Sequence, residues 1–248
     1  MNTVVRNMTA AQDAPANPAP RRNVGLGLML VADALLSFAP VVILGAAIGW
    51  PVSLDKPAAE QLGAIASQPA AVAWGYAVYL LYSLLVAPVM IGLASRTFGG
   101  LNGAVAATVA AFAALSALAR SIGILRWLTV MPMLAAAHAG AGADPVLRHQ
   151  IEWLFKGLTD YGGGVGEVLG VSVLMAASLG TLSVAALARG GMPRWLASLG
   201  VVSALLLAAL SLPVVGGPEI VPIAAAVSVL SVWMLAAGVW AMTESRVS

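Results

Sequence analysis

LNGAVAATVAAFAALSALARSIGILRWLTVMPMLAAA, from Leu101 to Ala137, is the stretch on which the architecture turns. Its only charged residues are Arg120 and Arg126. As a single helix its 37 residues would extend roughly 55 Å at about 1.5 Å per residue, whereas a bilayer hydrocarbon core is about 30 Å thick. One crossing therefore cannot use all of it. Either it crosses twice, turning near Arg120 to Arg126, or it crosses once and continues as a piece lying on or folded back into the outer surface.

The rest of the chain supplies the context for that choice. Of its 248 residues 60% are hydrophobic and 9% charged, far from soluble usage. Five further apolar segments, Val24 to Trp50, Ala71 to Leu93, Val165 to Ala188, Trp195 to Leu212 and Val221 to Met242, each suit a transmembrane helix. With a cytoplasmic N-terminus, six crossings place Arg6, Arg21, Arg22, Arg96, Arg189, Arg194 and Arg246 inside. Lys56, Arg148 and Lys156 then lie outside, with Arg120 and Arg126 near the outer boundary. Seven crossings would send Arg189, Arg194 and Arg246 outside and leave a tie. Because cytoplasmic loops carry the excess of Lys and Arg, the expectation is an all-α bundle of six transmembrane helices with both termini cytoplasmic, in a bacterial inner membrane. Residues 1–23, including AAQDAPANPAP, are expected to form a disordered cytoplasmic tail, 24–242 the membrane domain and 243–248 a short cytoplasmic tail. The run from Val24 is read as a retained first span rather than a cleaved signal.

In the six-span reading the third span reaches Arg120 after about 28 Å, where the arginine can snorkel outward. Gly123 and Pro132 weaken a straight continuation, so Trp127 to Ala137 is expected as an outer amphiphilic or re-entrant piece. The outer loops, Pro51 to Pro69 and His138 to Gly164, carry most of the remaining polar chemistry. Within the second, PVLRHQIEWLFKGL (Pro145 to Leu158) alternates apolar and charged residues at helical spacing, predicting a short interfacial helix.

Three stretches carry a resemblance: ARSIGILRWLTVMP at Ala119 to Pro132, YGGGVGEVLG at Tyr161 to Gly170 and MPRWLASLG at Met192 to Gly200. In order and spacing they resemble bacterial polytopic membrane proteins grouped as domain of unknown function forty-three eighty-six, over roughly Val24 to Met242. The resemblance implies the multi-spanning fold and points to Arg120, Arg126 and Glu167 as motif positions. It brings no activity with it. Similar proteins often show a histidine directly after the carboxylate; here that position is Val168, which counts against a metal site shared through it.

Intramembrane charges must be paired, hydrated or functional. Glu167 is expected level with Arg120 and Arg126, and two readings follow: an ion pair that docks the third span against the fourth, or an outward-facing polar pocket between them in which the arginines take an anionic small molecule. Gly162, Gly166 and Gly170 recur every four residues, either as a stripe for close helix packing in a helix capped by Asp160, or as a flexible loop ahead of the span. Asp33 lies near mid-membrane without a basic partner in sight, as a candidate proton relay or cation ligand or a partner of Ser37. Tyr76, Tyr79 and Tyr82 line the second span at threefold spacing, while Trp50, Trp74, Trp127, Trp153 and Trp195 fit an interfacial belt.

A metal-dependent hydrolase would have to be built from His138, His149, Glu152 and Glu167. His149 and Glu152 share a helical face, but Glu152 also stands four residues before Lys156, the spacing of a surface ion pair. No cysteine is present, nor a phosphate-binding glycine loop, a GxSxG elbow or an HExxH motif, and the basic residues form no patch for nucleic acid. The expected protein is accordingly non-enzymatic, without cofactor or bound metal. Its partners are the lipid bilayer and an anionic small molecule, with a small-solute transporter as the alternative and the hydrolase as the second. Ligand-binding or ion-pair candidates are Arg120, Arg126, Glu167, Asp33, Glu152 and His149. Nothing in the sequence specifies an oligomeric state.

Overall fold

The computed structural model describes residues 22–243. Most of the expected N-terminal tail and nearly all of the C-terminal tail therefore lie outside the described residues. Among the described residues there is no strand, and five helical stretches are long and apolar enough to cross a membrane.

The first stretch is α1 (Val24–Leu36) followed by α2 (Ala39–Ile48). Asn23 caps α1 by accepting from the Leu26 N–H. The break between the two falls just before Pro40, which sits in the first turn of α2, where its missing N–H costs nothing. Gly49 ends α2 in the left-handed conformation, after which a short 3₁₀ turn (Val52–Asp55) leads into α3 (Ala58–Ser67). The amphipathic α3, in AAEQLGAIAS, was hidden in what the sequence reads as an outer loop. It buries Leu62 and Ile65.

Next come α4 (Pro69–Phe98), α5 (Ala104–Leu128) and α6 (Val130–Gly140). The 37-residue question resolves into one helix that runs through Gly123 without a break and bends at Thr129, whose backbone leaves helical geometry. Pro132 falls in the first turn of α6, where a helix tolerates it. The piece beyond Trp127 is therefore a packed helix with Met131, Leu134 and Ala135 buried.

α7 (Pro145–Gly163) continues without interruption through a π-helical stretch (Gly164–Met175) into α8 (Ala176–Arg189). Two expectations are corrected here. The predicted short interfacial helix is the first part of a 45-residue helical run, joined because nothing in GLTDYGGG stops it. The cap is Asp144, which accepts from the Val146 and Leu147 N–H groups; Asp160 is mid-helix and pairs with Lys156 at 2.9 Å. α9 (Arg194–Ala209), a 3₁₀ turn (Leu212–Val215) and α10 (Ile223–Thr243) complete the chain. At 16 residues α9 is a shorter apolar helix than the other spans.

Two separate apolar cores hold these elements. The larger joins α1, α4, α5, α8, α9 and α10 around Leu30, Met90, Leu179 and Trp233. The smaller joins α2, α3, α6, α7 and one end of both α4 and α5 around Leu62, Tyr76, Met131 and Phe155. Tyr79 packs against both. Close approach replaces bulk at α1 and α10, where a Cβ on Gly27 would meet the Gly238 carbonyl oxygen at 2.7 Å; small residues of this kind let membrane helices touch along their backbones. The ends of the described chain meet: Arg22 Nε donates to Met242 O at 2.8 Å and Asn23 N to Ala241 O at 3.0 Å. Around the circumference, Leu28, Leu35, Leu84, Leu118, Leu205 and Val232 are exposed, as an apolar solvent requires.

Candidate functional site

The polar residues of interest sit where the two cores adjoin. α5 passes the start of the π-helical stretch so closely that a Cβ on Gly123 would lie 2.7 Å from Gly166 Cα and 2.8 Å from Gly162 O. This glycine-to-glycine crossing brings Arg120 and Arg126 against the other two glycines. The Arg126 guanidinium lies over Gly162, and the Arg120 side chain passes Gly170. The two arginines, six apart and pointing differently around α5, thus reach one face without any bend at Gly123. The glycines of YGGGVGEVLG act as packing surface, and the loop alternative does not hold.

Aromatic rings from α4 and from α5 itself hold the guanidinium groups. The Arg120 guanidinium carbon stands 4.4 Å from the Tyr82 ring centroid, and that of Arg126 stands 5.4 Å from Trp127, arrangements worth about 0.5–2 kcal/mol each. Tyr76 stacks on Trp127 with centroids 4.8 Å apart, while Tyr79 stacks on Tyr82 and meets Trp50 edge-on. The three tyrosines thus enter two aromatic groups, Tyr76 with Trp127 and Tyr79 with Tyr82 and Trp50. Trp127 belongs to the interior, not to an interfacial belt; Trp74, Trp153 and Trp195 are exposed as belt residues would be.

Between these groups is a cavity of about 30 Å³, lined among others by Trp50, Tyr76, Tyr79, Arg120, Arg126, Trp127 and Glu167. Such a volume holds one or two waters. Arg120 is buried, whereas Arg126 and Glu167 are partly exposed. Arg126 Nη1 donates to Gly123 O at 2.9 Å, and the Nε atoms of both arginines have no hydrogen-bond partner. Glu167 makes no ion pair within 4 Å with either; the described ion pairs lie elsewhere. Charge balance in the cavity is thus through space. Glu167 also borders a second cavity of about 150 Å³, with Ser172, Pro213 and Glu219, a neighbourhood with no signal in the sequence.

Asp33 is fully buried on α1, and neither carboxylate oxygen has a hydrogen-bond partner. It forms no ion pair within 4 Å among the described residues, so Arg120 acts on it only through space. Ser37 turns away from it, donating to Ala34 O at 2.7 Å and pairing with Ser231 at 3.0 Å. Glu152 and His149 stand apart from the cavity. Glu152 meets His138 at 2.9 Å rather than Lys156, and His149 accepts from the Trp153 indole at 2.8 Å. The four residues of the hydrolase reading therefore do not converge, and among the described residues no group of three or more His, Cys, Asp and Glu is placed to hold a metal ion.

The comparisons with known proteins agree with the resemblance read from the three stretches. A family model described as a domain of unknown function, DUF4386, matches residues 26–240. The chain belongs to this family. No curated protein and no solved structure matches it. The matched residues take in Asp33, both arginines and Glu167, so the whole site lies inside the family's domain. With its several apolar helices the chain is a multi-pass membrane protein of the family.

Proposed function

We propose that this protein crosses the membrane six times with both termini cytoplasmic, in a bacterial inner membrane, and binds a small anionic molecule in an outward-facing pocket between α5 and the α7–π-helical run. Residues 24–242 form the membrane domain. The meeting of Arg22 with Met242 supports an even number of crossings, with α9 as the short sixth span. The inner end then holds Arg22, Arg96, Arg189 and Arg194, in accord with the positive-inside rule.

The observation that carries the binding reading is the presence of two guanidinium groups on one cavity with unpartnered Nε donors, neither closed off by Glu167. Arginine offers a planar array of donors that suits carboxylates and oxyanions, and partial exposure of Arg126 gives an approach. Titrating the full chain in detergent with sodium chloride, formate, acetate and phosphate should raise its thermal midpoint for at least one of these anions. Arg126→Gln should remove that shift and Arg126→Lys should retain part of it. Equal stabilisation of Arg126→Gln and wild type would defeat the reading.

A second reading, small-solute transport, is favoured by one feature. Glu167 lies in a π-helical stretch, where i→i+5 bonding leaves the helix loosely wound, and it borders both cavities. Uptake of the stabilising anion into proteoliposomes, lost in Glu167→Gln, is the measurement that separates transport from binding alone.

A further inference from the structure

We propose that the ligand is a small monocarboxylate with a short apolar tail. Its carboxylate is held in the arginine cavity with the Tyr76 hydroxyl as a third donor, and its tail lies in the neighbouring cavity between the π-helical stretch and the link from α9 to α10. This rests on the anion-binding reading above and adds the chemical class of the anion and a further binding residue.

Tyr76 carries the first part. It is 2% exposed, it lines the cavity together with both arginines, and its hydroxyl has no hydrogen-bond partner, although a buried phenol normally finds one. Its ring is fixed by stacking at 4.8 Å on Trp127, the same indole against which the Arg126 guanidinium stands at 5.4 Å. Three buried groups, Tyr76 Oη, Arg120 Nε and Arg126 Nε, are thus without partners around a single space. A phenolic hydroxyl and two guanidinium N–H groups can all donate, so what satisfies them together is an acceptor with several lone pairs. The side chains that line the space include two guanidinium groups and one carboxylate, an excess of one positive charge that one negative charge offsets. A volume of about 30 Å³ has room for a carboxylate group and little else.

The second cavity accommodates the rest of the molecule. Glu167 and Val171 line both cavities, so the two adjoin along one ridge of the π-helical stretch. The second has a volume of about 150 Å³, and Val168, Ala209, Leu210, Val221 and Ile223 make most of its lining apolar. Such a lining favours hydrocarbon over water. A carboxylate in the first cavity can therefore send its chain over Val171 into the second. The charged residues lining the second cavity, Glu167 and Glu219, are both acidic. A second carboxylate at the far end of the ligand would meet like charge there, which restricts the class to monocarboxylates.

The experiment is a titration of the full chain in detergent at pH 7 with sodium formate, acetate, propionate and butyrate, at constant sodium concentration balanced with sodium isethionate. Binding is read by tryptophan fluorescence, since Trp50 and Trp127 line the arginine cavity. Kd should fall about fourfold per added methylene, and succinate should bind more weakly than butyrate. Tyr76→Phe keeps the stacked ring and should raise the Kd of formate and butyrate alike by about tenfold or more. It should not lower the thermal midpoint of the ligand-free protein, because the hydroxyl has no partner there to lose. Ala209→Phe, which alters the second cavity alone, should leave formate binding unchanged and abolish the gain with chain length. A wild-type Kd that does not fall from formate to butyrate, or succinate bound as tightly as butyrate, overturns the ligand class while leaving anion binding intact. Absence of saturable binding by every acid, by chloride and by phosphate overturns both. Wild-type affinity in Tyr76→Phe removes the hydroxyl from the site, and a chain-length gain that persists in Ala209→Phe puts the tail elsewhere; either result overturns the placement of the ligand.

Discussion

Arg120 and Arg126 owe their shared cavity to residues that have no side chain. A Cβ on Gly166 would come 3.2 Å from Gly123 Cα, and one on Gly162 would overlap the Arg126 guanidinium. Gly166→Leu is expected to force α5 off the π-helical stretch and to cost at least about 1–3 kcal/mol, as overpacking does; a loss of monodisperse protein or a lowered thermal midpoint would record it. The same helices are also tied by Ser116, whose hydroxyl donates to Gly170 O at 2.7 Å. Ser116→Ala should cost only about 0.6 kcal/mol, the usual worth of an interhelical hydroxyl bond in a membrane protein. A thermal midpoint lowered as much by Ser116→Ala as by Gly166→Leu would show that the glycine crossing is not what holds α5 in place.

At the scale of elements, the sequence and the structure part most clearly over YGGG. Three glycines after Asp160 suggest a place where the chain turns, since glycine weakens helices. The structure keeps them helical because the backbone contact with α5 offsets that weakness. Gly163→Pro distinguishes the two: in a loop it would be mild, whereas inside the continuous helix it should cost about 3 kcal/mol or more, read as loss of folded protein. Besides their apolar contacts, α6 and α7 are joined by the partly buried His138–Glu152 contact at 2.9 Å. Glu152→Gln should lower stability by no more than about 1 kcal/mol, since Glu152 keeps contact with solvent, and the proposed anion binding should be unaffected because neither residue lines the cavity. A larger effect in either assay would give the contact a role that its exposure does not suggest.

For the molecule as a whole, the arrangement is a large membrane-spanning core with a smaller helical core at one end, and the charged site at their junction. The proposed sidedness is open to direct test. A reporter fused after Ser248 should report a cytoplasmic location, and one inserted in the turn at 141–144 an outer one. A C-terminus found outside would remove the six-span arrangement and with it the outward orientation of the pocket.

Hydrophobic runs and the distribution of arginines determined, from sequence alone, that the chain is helical, that it crosses a membrane more than once, and that Arg120, Arg126, Glu167 and Asp33 need explaining. These are legible because solvent acts on each segment separately: a run of about 20 apolar residues inserts whatever its neighbours are, and a charge within it stands out. Family membership was legible too, from three short strings. Which charges meet was not. That depends on how far each helix is rotated and how closely its neighbours approach, quantities set by packing between residues distant in sequence. Hence α3, the burial of Trp127 and the pairing of Glu152 with His138 came only from the tertiary structure. So did the cavity itself, since a space between helices is a property of their contact and of no single stretch of chain.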